Sequence, residues 1–259
     1  MTSKVLFIFS KDDYEKDFAD CHEDTLELYM IKQHCQGRSD RDFLLVDSYE
    51  NVKADPGTVC IPVGSVSWCS NKYGDVPPID YPDFLKPYLH RRTGLVKATD
   101  VLKKMKENKG KLFLKPANKC KKFNGTVVSK RRWFNFKIVA GIKDDECLKW
   151  SQVVEFTNEW RYYVKNGRLV NAQYYEGREP LDDPPFPPDL PAALKYELFA
   201  RSWCGCIDMG TTKESPDNLV LVEACLPYAI GWYGDQDSYD NYAEFLIGGD
   251  KYMCRKGNI

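Results

Sequence analysis

Several short apolar runs in this chain end in, or alternate with, a charge that a buried strand does not ordinarily carry. Lys115 follows Leu112-Phe113-Leu114, Glu155 follows Val153-Val154, Asp208 follows Cys206-Ile207, and Glu223 follows Leu219-Val220-Leu221-Val222. Glu159 and Arg161 alternate with Trp160 and Tyr162. Short apolar, β-branched runs read as buried strands. A charge at the end of one is costly to desolvate unless a partner or ligand compensates it. A single such charge is usually an ion pair. In chain order there is a lysine, then two glutamates, then two further carboxylates. That order suggests a cation for phosphates, acceptors for a nucleoside and acids for a metal.

Each residue also has a plainer reading. Lys115-Pro116 and Lys122-Phe123-Asn124-Gly125 put two amines around a loop that turns on a glycine. Such a loop can fold over phosphates, since glycine lets the backbone approach closely. It can equally be a solvated basic hairpin, which suits Lys121, Arg131 and Arg132 better than it suits Lys115. Glu155 and Glu159 could accept hydrogen bonds from ribose hydroxyls, or could pair with Arg161 or Lys165. Asp208 and Glu223 close adjacent strands, where two carboxylates can hold Mg²⁺ against phosphate oxygens. Taken singly, either could be a cap or half of a structural ion pair.

The elements that must position these residues follow from periodicity and turn chemistry. A strand at 4–9, a helix at 14–33 and strands at 43–46 and 58–63 predict a small parallel α/β unit. Prolines 77, 78, 82 and 87 and then Arg91-Arg92 mark its exit. A helix at 99–108, stopped by Gly110, leads to strands at 112–114 and 126–129. Further strands are expected at 134–139 and 152–155, completing a small antiparallel sheet. Segments 159–164 and 168–175 form a hairpin across Lys165-Asn166-Gly167. A proline-rich loop at 182–191, a helix at 192–204, strands at 206–208 and 218–223 and a short helix at 239–246 complete the chain. The fold class is therefore α/β plus α+β.

Composition bounds the function classes. The 259 residues can bury a real core, and a net charge of −1 gives no overall pull toward nucleic acid or a membrane. The balance is locally uneven: residues 111–137 carry nine Lys/Arg and no acid, whereas acids predominate after Asp208. Three histidines without ligand spacing argue against zinc catalysis and a Ser/His/Asp triad. Ten scattered cysteines make neither a disulfide framework nor a zinc site. The first apolar run is too short for a signal peptide or a membrane span, so a reducing cytoplasm is expected. Trp133, Phe134 and Phe136 beside Arg131 and Arg132 offer a minority reading as a nucleic-acid surface.

In order and spacing these parts resemble the ATP-grasp superfamily, and within it the clade named for two arginines and a lysine, found largely in viruses and bacteria. The matching segments are Leu114-Lys115-Pro116, Lys122-Phe123-Asn124-Gly125, Ser151 through Glu155, and Glu159 through Val164 with the Gly167 turn and Tyr175-Glu176-Gly177. Ile207-Asp208, Val222-Glu223 and Gly231-Trp232-Tyr233-Gly234 follow, and Pro62 through Val66 and Leu89-His90-Arg91-Arg92 match upstream. The resemblance covers nearly the whole chain. It implies an N-terminal domain at 1–95 and an ATP-grasp domain at 96–259, with a lid lobe near 110–155 and a C-terminal lobe near 156–259.

The resemblance further implies that Lys115 contacts the α/β-phosphates of ATP and that Lys122 and Gly125 belong to a mobile lid. It puts Glu155 at the adenine and Glu159 at the ribose. Arg161, with Arg91 or Arg92, would hold phosphate or a substrate carboxylate, and Asp208 and Glu223 would bind Mg²⁺. The implied reaction is ATP-dependent joining of a carboxylate and an amine through an acylphosphate, without a membrane partner and, if the chain is viral, in host cytoplasm. This chain departs from the pattern at Glu223-Ala224-Cys225, where the family usually reads Glu-x-Asn, and at Lys251-Tyr252, where it reads Arg-Trp. Two rival classes stand beside a ligase: a nucleotide-binding module of weak activity, and a nucleic-acid-binding protein using 111–137. Oligomeric state and the identity of either substrate are open.

Overall fold

The computed structural model describes residues 4–12, 22–119, 121–177 and 185–256. Three sheets organise it. The first is parallel, with strand order β2-β1-β3, from β1 (Val5–Ser10), β2 (Arg41–Val46) and β3 (Val59–Val63). All six residues of β1 are buried, as a central parallel strand requires. Helix α1 (His22–Cys35) joins β1 to β2, and α2 (Val66–Tyr73) follows β3. Helix α1 is described from His22, so the start expected near 14 lies outside the described residues.

The other two sheets are four-stranded and antiparallel. One has order β4-β7-β5-β6, from β4 (Thr93–Lys97), β5 (Lys111–Pro116), β6 (Thr126–Ser129) and β7 (Cys147–Ser151). Helices α3 (Val101–Lys106) and α4 (Trp133–Val139) cover it, closing a core around Val101, Met105, Leu112, Leu114 and Trp150. The other has order β11-β10-β8-β9, from β8 (Phe156–Lys165), β9 (Arg168–Gly177), β10 (Gly205–Thr212) and β11 (Ser215–Cys225). Helix α5 (Ala192–Ala200) packs on one of its faces through Leu194 and Leu198. Helix α6 (Tyr239–Lys256) packs on the other, joining Tyr242 and Phe245 to Phe7, Ile31 and Tyr163 in one core. The expected α/β plus α+β class is thus the observed one.

Four local expectations are corrected. Residues 134–139 are helix α4, not a strand. Alternation would have buried Phe134 and Ile138, but these are 64% and 78% exposed. Trp133, Phe136 and Ala140, at helical spacing, face the core instead. The strand expected at 152–155 is β7, five residues earlier, where Leu148 and Trp150 alternate inward. Gln152 makes one more bond, donating its N–H to the Arg92 carbonyl at 3.0 Å, and 153–155 then cross to the other sheet.

Helix α5 ends at Ala200, short of Cys204, because Ser202 turns to φ 45° and Trp203 N–H caps the Leu198 carbonyl at 3.0 Å. Helix α6 runs ten residues beyond Leu246, to Lys256. Gly248 and Gly249 do not stop it. They let the helix approach Lys165 and Pro227, where an added Cβ would lie 2.7 Å from a heavy atom of each.

Candidate functional site

The two antiparallel sheets face each other across a cleft of about 720 Å³. Register builds one wall. Asp208 on β10 lies directly opposite Arg161 on β8 and, on its other side, opposite Glu223 on β11. Cross-strand partners project from the same face of a sheet, so Arg161, Asp208 and Glu223 form one row across three strands. The alternation of β5 builds the opposite wall: Leu112 and Leu114 enter the core, while Phe113 and Lys115 line the cleft.

The row is held by charge. Arg161 donates to Asp208 through Nε at 2.8 Å and through a terminal nitrogen at 2.7 Å, a bidentate pair. Both residues are buried. The guanidinium also lies 4.6 Å from the Tyr175 ring centroid and 5.1 Å from that of Tyr233. Burial opposes the charge of Arg161, but Asp208 more than offsets this and its pKa rises. Burial pushes the Asp208 carboxyl upward and the Glu223 charge adds to the push, while the Arg161 pair opposes both. Lys115 Nζ reaches across the cleft to Glu223 and to Asp80 Oδ1, the latter at 2.5 Å. Desolvation disfavours its charge too, yet Glu223 and Asp80 together hold its pKa above the ordinary lysine value.

Of the other residues named from sequence, Arg91, Gly125 and Glu159 line the cleft. Arg91 is bound to backbone, donating to the carbonyls of Leu221 at 2.5 Å and Val222 at 2.7 Å, with Tyr81 and Phe156 on its faces. Gly125 passes so close to β5 that a Cβ there would lie 2.5 Å from the Phe113 ring. Three residues are not brought to the cleft wall. Arg92 bonds Asn108 at 3.1 Å, Lys122 pairs with Glu146 at 2.6 Å, and Glu155 is exposed where the chain crosses between sheets.

Two further charged groups, Asp80 on the cleft wall and Lys149 bonded to it, are not marked by the pattern that picks out Lys115. Asp80 stands in the proline-rich exit, where only its apolar neighbours Ile79 and Tyr81 hint at burial. Lys149 alternates with Leu148 and Trp150 and would have stood out had β7 been placed correctly.

The donor set of Asp208 and Glu223 fits one Mg²⁺ completed by phosphate oxygens and water, since magnesium needs only one or two carboxylates from protein. The next acceptor along β11 is the Cys225 thiol, and burial with the Glu223 and Asp208 charges pushes its pKa well above the ordinary value. Among the described residues no three His, Cys, Asp or Glu converge as a metal cluster. The Cys225 thiol is expected to resist iodoacetamide at pH 8, reacting at least ~10-fold more slowly than free cysteine by peptide mass spectrometry. Labelling at the free-cysteine rate would contradict this account of its surroundings.

The basic segment is partly accounted for by the same geometry. Trp133 and Phe136 belong to the core, and Lys122 and Lys137 pair with Glu146 and Asp144. All eight described cysteines are free, and no described helix is long and apolar enough to cross a membrane.

Comparison with known proteins matches this architecture. The chain superposes on a D-alanine–D-alanine ligase from Bacillus anthracis with a TM-score of 0.56 at 10% identity, covering 98% of this chain and 99% of the other. D-cycloserine synthetase gives 0.55 at 11% identity, over 96% and 99% of the two chains. A RiPP-associated ATP-grasp ligase from Chryseobacterium gregarium, in complex with ADP and a leader and core peptide, gives 0.50 at 12% identity, over 98% and 97%. At such identities these likenesses establish the fold alone. No curated protein matches the sequence. The model of the ATP-grasp domain of the two-arginine-and-lysine clade, family 2, matches residues 88–243, more than half of the chain. The chain therefore belongs to that clade of the ATP-grasp superfamily.

Proposed function

We propose that the protein is an ATP-dependent carboxylate–amine ligase acting through an acylphosphate. The observation that carries this reading is the Arg161–Asp208–Glu223 row facing Lys115 across a cleft of nucleotide size. In this reading residues 1–95 precede the ATP-grasp lobes at 96–259, with β4 (Thr93–Lys97) joining the lid sheet.

A substrate carboxylate oxygen attacks the γ-phosphorus of ATP and the bond to ADP breaks. An amine nitrogen then attacks the acyl carbon, phosphate leaves, and the amine proton passes to phosphate or water. The protein contributes position and charge neutralisation rather than covalent catalysis. Lys115 would offset phosphate charge, while Glu159 and Glu155 would accept from the nucleoside. Arg161 and Arg91 act from fixed places on the wall, beside the transferring phosphoryl group or the incoming carboxylate. Arg92 and Lys122 join only by giving up Asn108 and Glu146, and the Gly125 loop would cover the phosphates. Mg²⁺, held by Asp208 and Glu223, would supply further charge for phosphate oxygens.

The test is ADP release from ATP with Mg²⁺ across panels of amino acids, short peptides and polyamines. The expected result is release that needs both a carboxylate and an amine, with a product mass equal to their sum less water. A second reading, a nucleotide-binding module with little turnover, is favoured by the neutral Cys225. Nucleotide binding without substrate-dependent release, in wild type and Cys225→Asn alike, would establish that reading and reject the ligase.

A further inference from the structure

Asp80 and Lys149 have no part in the chemistry above, yet both stand beside Lys115, the cation proposed to meet phosphate. Asp80 lies on the 77–80 segment that lines the cleft, with a side chain only 3% exposed. Its Oδ1 accepts from Lys115 at 2.5 Å and its Oδ2 from Lys149 at 2.8 Å. Lys115 and Lys149 are cross-strand partners on β5 and β7, so the sheet presents both amines on one face. Two fixed ammonium groups sharing one carboxylate are chemically a seat for an anion.

The sheet that carries the amines does not supply this carboxylate. Asp80 arrives from a loop, at a residue with φ 43°, tied to β11 by the Ala224 N–H bond to its carbonyl at 2.8 Å. Displacing the side chain would leave that backbone anchor in place. Neither amine is then left without an acceptor, because Lys115 keeps Glu223 and Lys149 keeps the Pro78 carbonyl. With Asp80 and Glu223 in place the two amines are neutralised. An incoming anion meets net positive charge only once one carboxylate has moved.

We propose that Asp80 is a resident counter-anion in a seat formed by Lys115 and Lys149, displaced when a polyphosphate binds. The proposal rests on the nucleotide reading and deepens it. It makes Lys149 a second phosphate-binding cation and Asp80 a positioning residue that rejects weakly charged anions. A single carboxylate gains little by replacing one already in place, whereas a polyphosphate brings several charges to the same two amines.

Asp80→Asn is the informative variant. Asparagine tolerates the left-handed backbone, keeps the carbonyl bond to Ala224 and removes only the charge. Tripolyphosphate and ADP binding would be measured by calorimetry on wild type, Asp80→Asn and Asp80→Asn/Lys149→Gln, with circular dichroism to check folding. Asp80→Asn is expected to bind tripolyphosphate about 10-fold more tightly than wild type, and the double variant to lose that gain. Unchanged or weaker binding by a folded Asp80→Asn overturns the proposal, as does a gain that survives Lys149→Gln. If Asp80→Asn does not fold, Lys149→Gln alone decides: a loss of about 10-fold supports the seat and no loss rejects it. Absence of ADP binding by every variant would instead count against the nucleotide reading, and tripolyphosphate still reports on the seat itself.

Discussion

Arg161→Met is expected to lower stability by about 3–5 kcal/mol, the usual effect of removing one partner from a buried ion pair. The pair is bidentate, and side-chain exposures of 8% and 2% leave water little access to the Asp208 carboxylate once its partner is gone. Packing adds to the loss, since the guanidinium fills the space between Tyr175 and Tyr233. Arg161→Met/Asp208→Leu should regain most of that stability, because it leaves no uncompensated charge. It should not regain the proposed ligation, which in this reading needs the row's charges rather than its volume. Equilibrium urea denaturation and ADP release, measured on the same variants, separate the two effects. A double variant as unstable as the sum of the singles would show that the two residues act independently.

Lys115→Met is expected to behave in the opposite way, with a large loss of turnover and a small loss of stability. Removing one preorganised charge from a phosphoryl-transfer site typically lowers kcat about 10²–10³-fold. The structural loss is cushioned. Asp80 keeps Lys149, and the Glu223 side chain is 26% exposed, so its charge can be solvated. Stability should fall by less than ~2 kcal/mol in urea. A variant with normal ADP release would remove Lys115 from the site, whatever its stability.

These contrasts follow from where each charge sits, and only part of that placement was legible in the sequence. Lys115, Asp208 and Glu223 could be picked out because each ends an apolar run, where an uncompensated charge is costly. The hairpin was legible from Asn166-Gly167, both of which adopt positive φ. The row itself was not. That Asp208 faces Arg161 and Glu223 depends on the order β11-β10-β8, and no local pattern states which strands become neighbours.

Helix α4 was misread because Trp133, Phe134, Phe136 and Ile138 satisfy a period of two about as well as a helical period. Only the packing of Trp133 and Phe136 on Val128 and Leu148 decides between them. That error, with the misplacement of β7, concealed Lys149. Asp80 was concealed for another reason: its burial comes from loop closure against β11, about 140 residues downstream of it.

The departure at Cys225 was visible in the sequence, and its surroundings define its consequence. A half-buried thiol whose pKa is pushed up by desolvation and by two neighbouring carboxylates is a poor ligand for a hard cation and a poor nucleophile. The proposed nucleotide site would therefore take one Mg²⁺ rather than two, and nucleotide affinity is expected to saturate in magnesium with a single apparent step.

The most direct test of the central claim is calorimetric titration of ATP into wild type and Lys115→Ala, each with and without Mg²⁺. The account predicts that wild type binds with an affinity that Mg²⁺ increases, and that Lys115→Ala loses that binding. No ATP binding by the folded wild type in Mg²⁺ would contradict the assignment of this cleft as a nucleotide site.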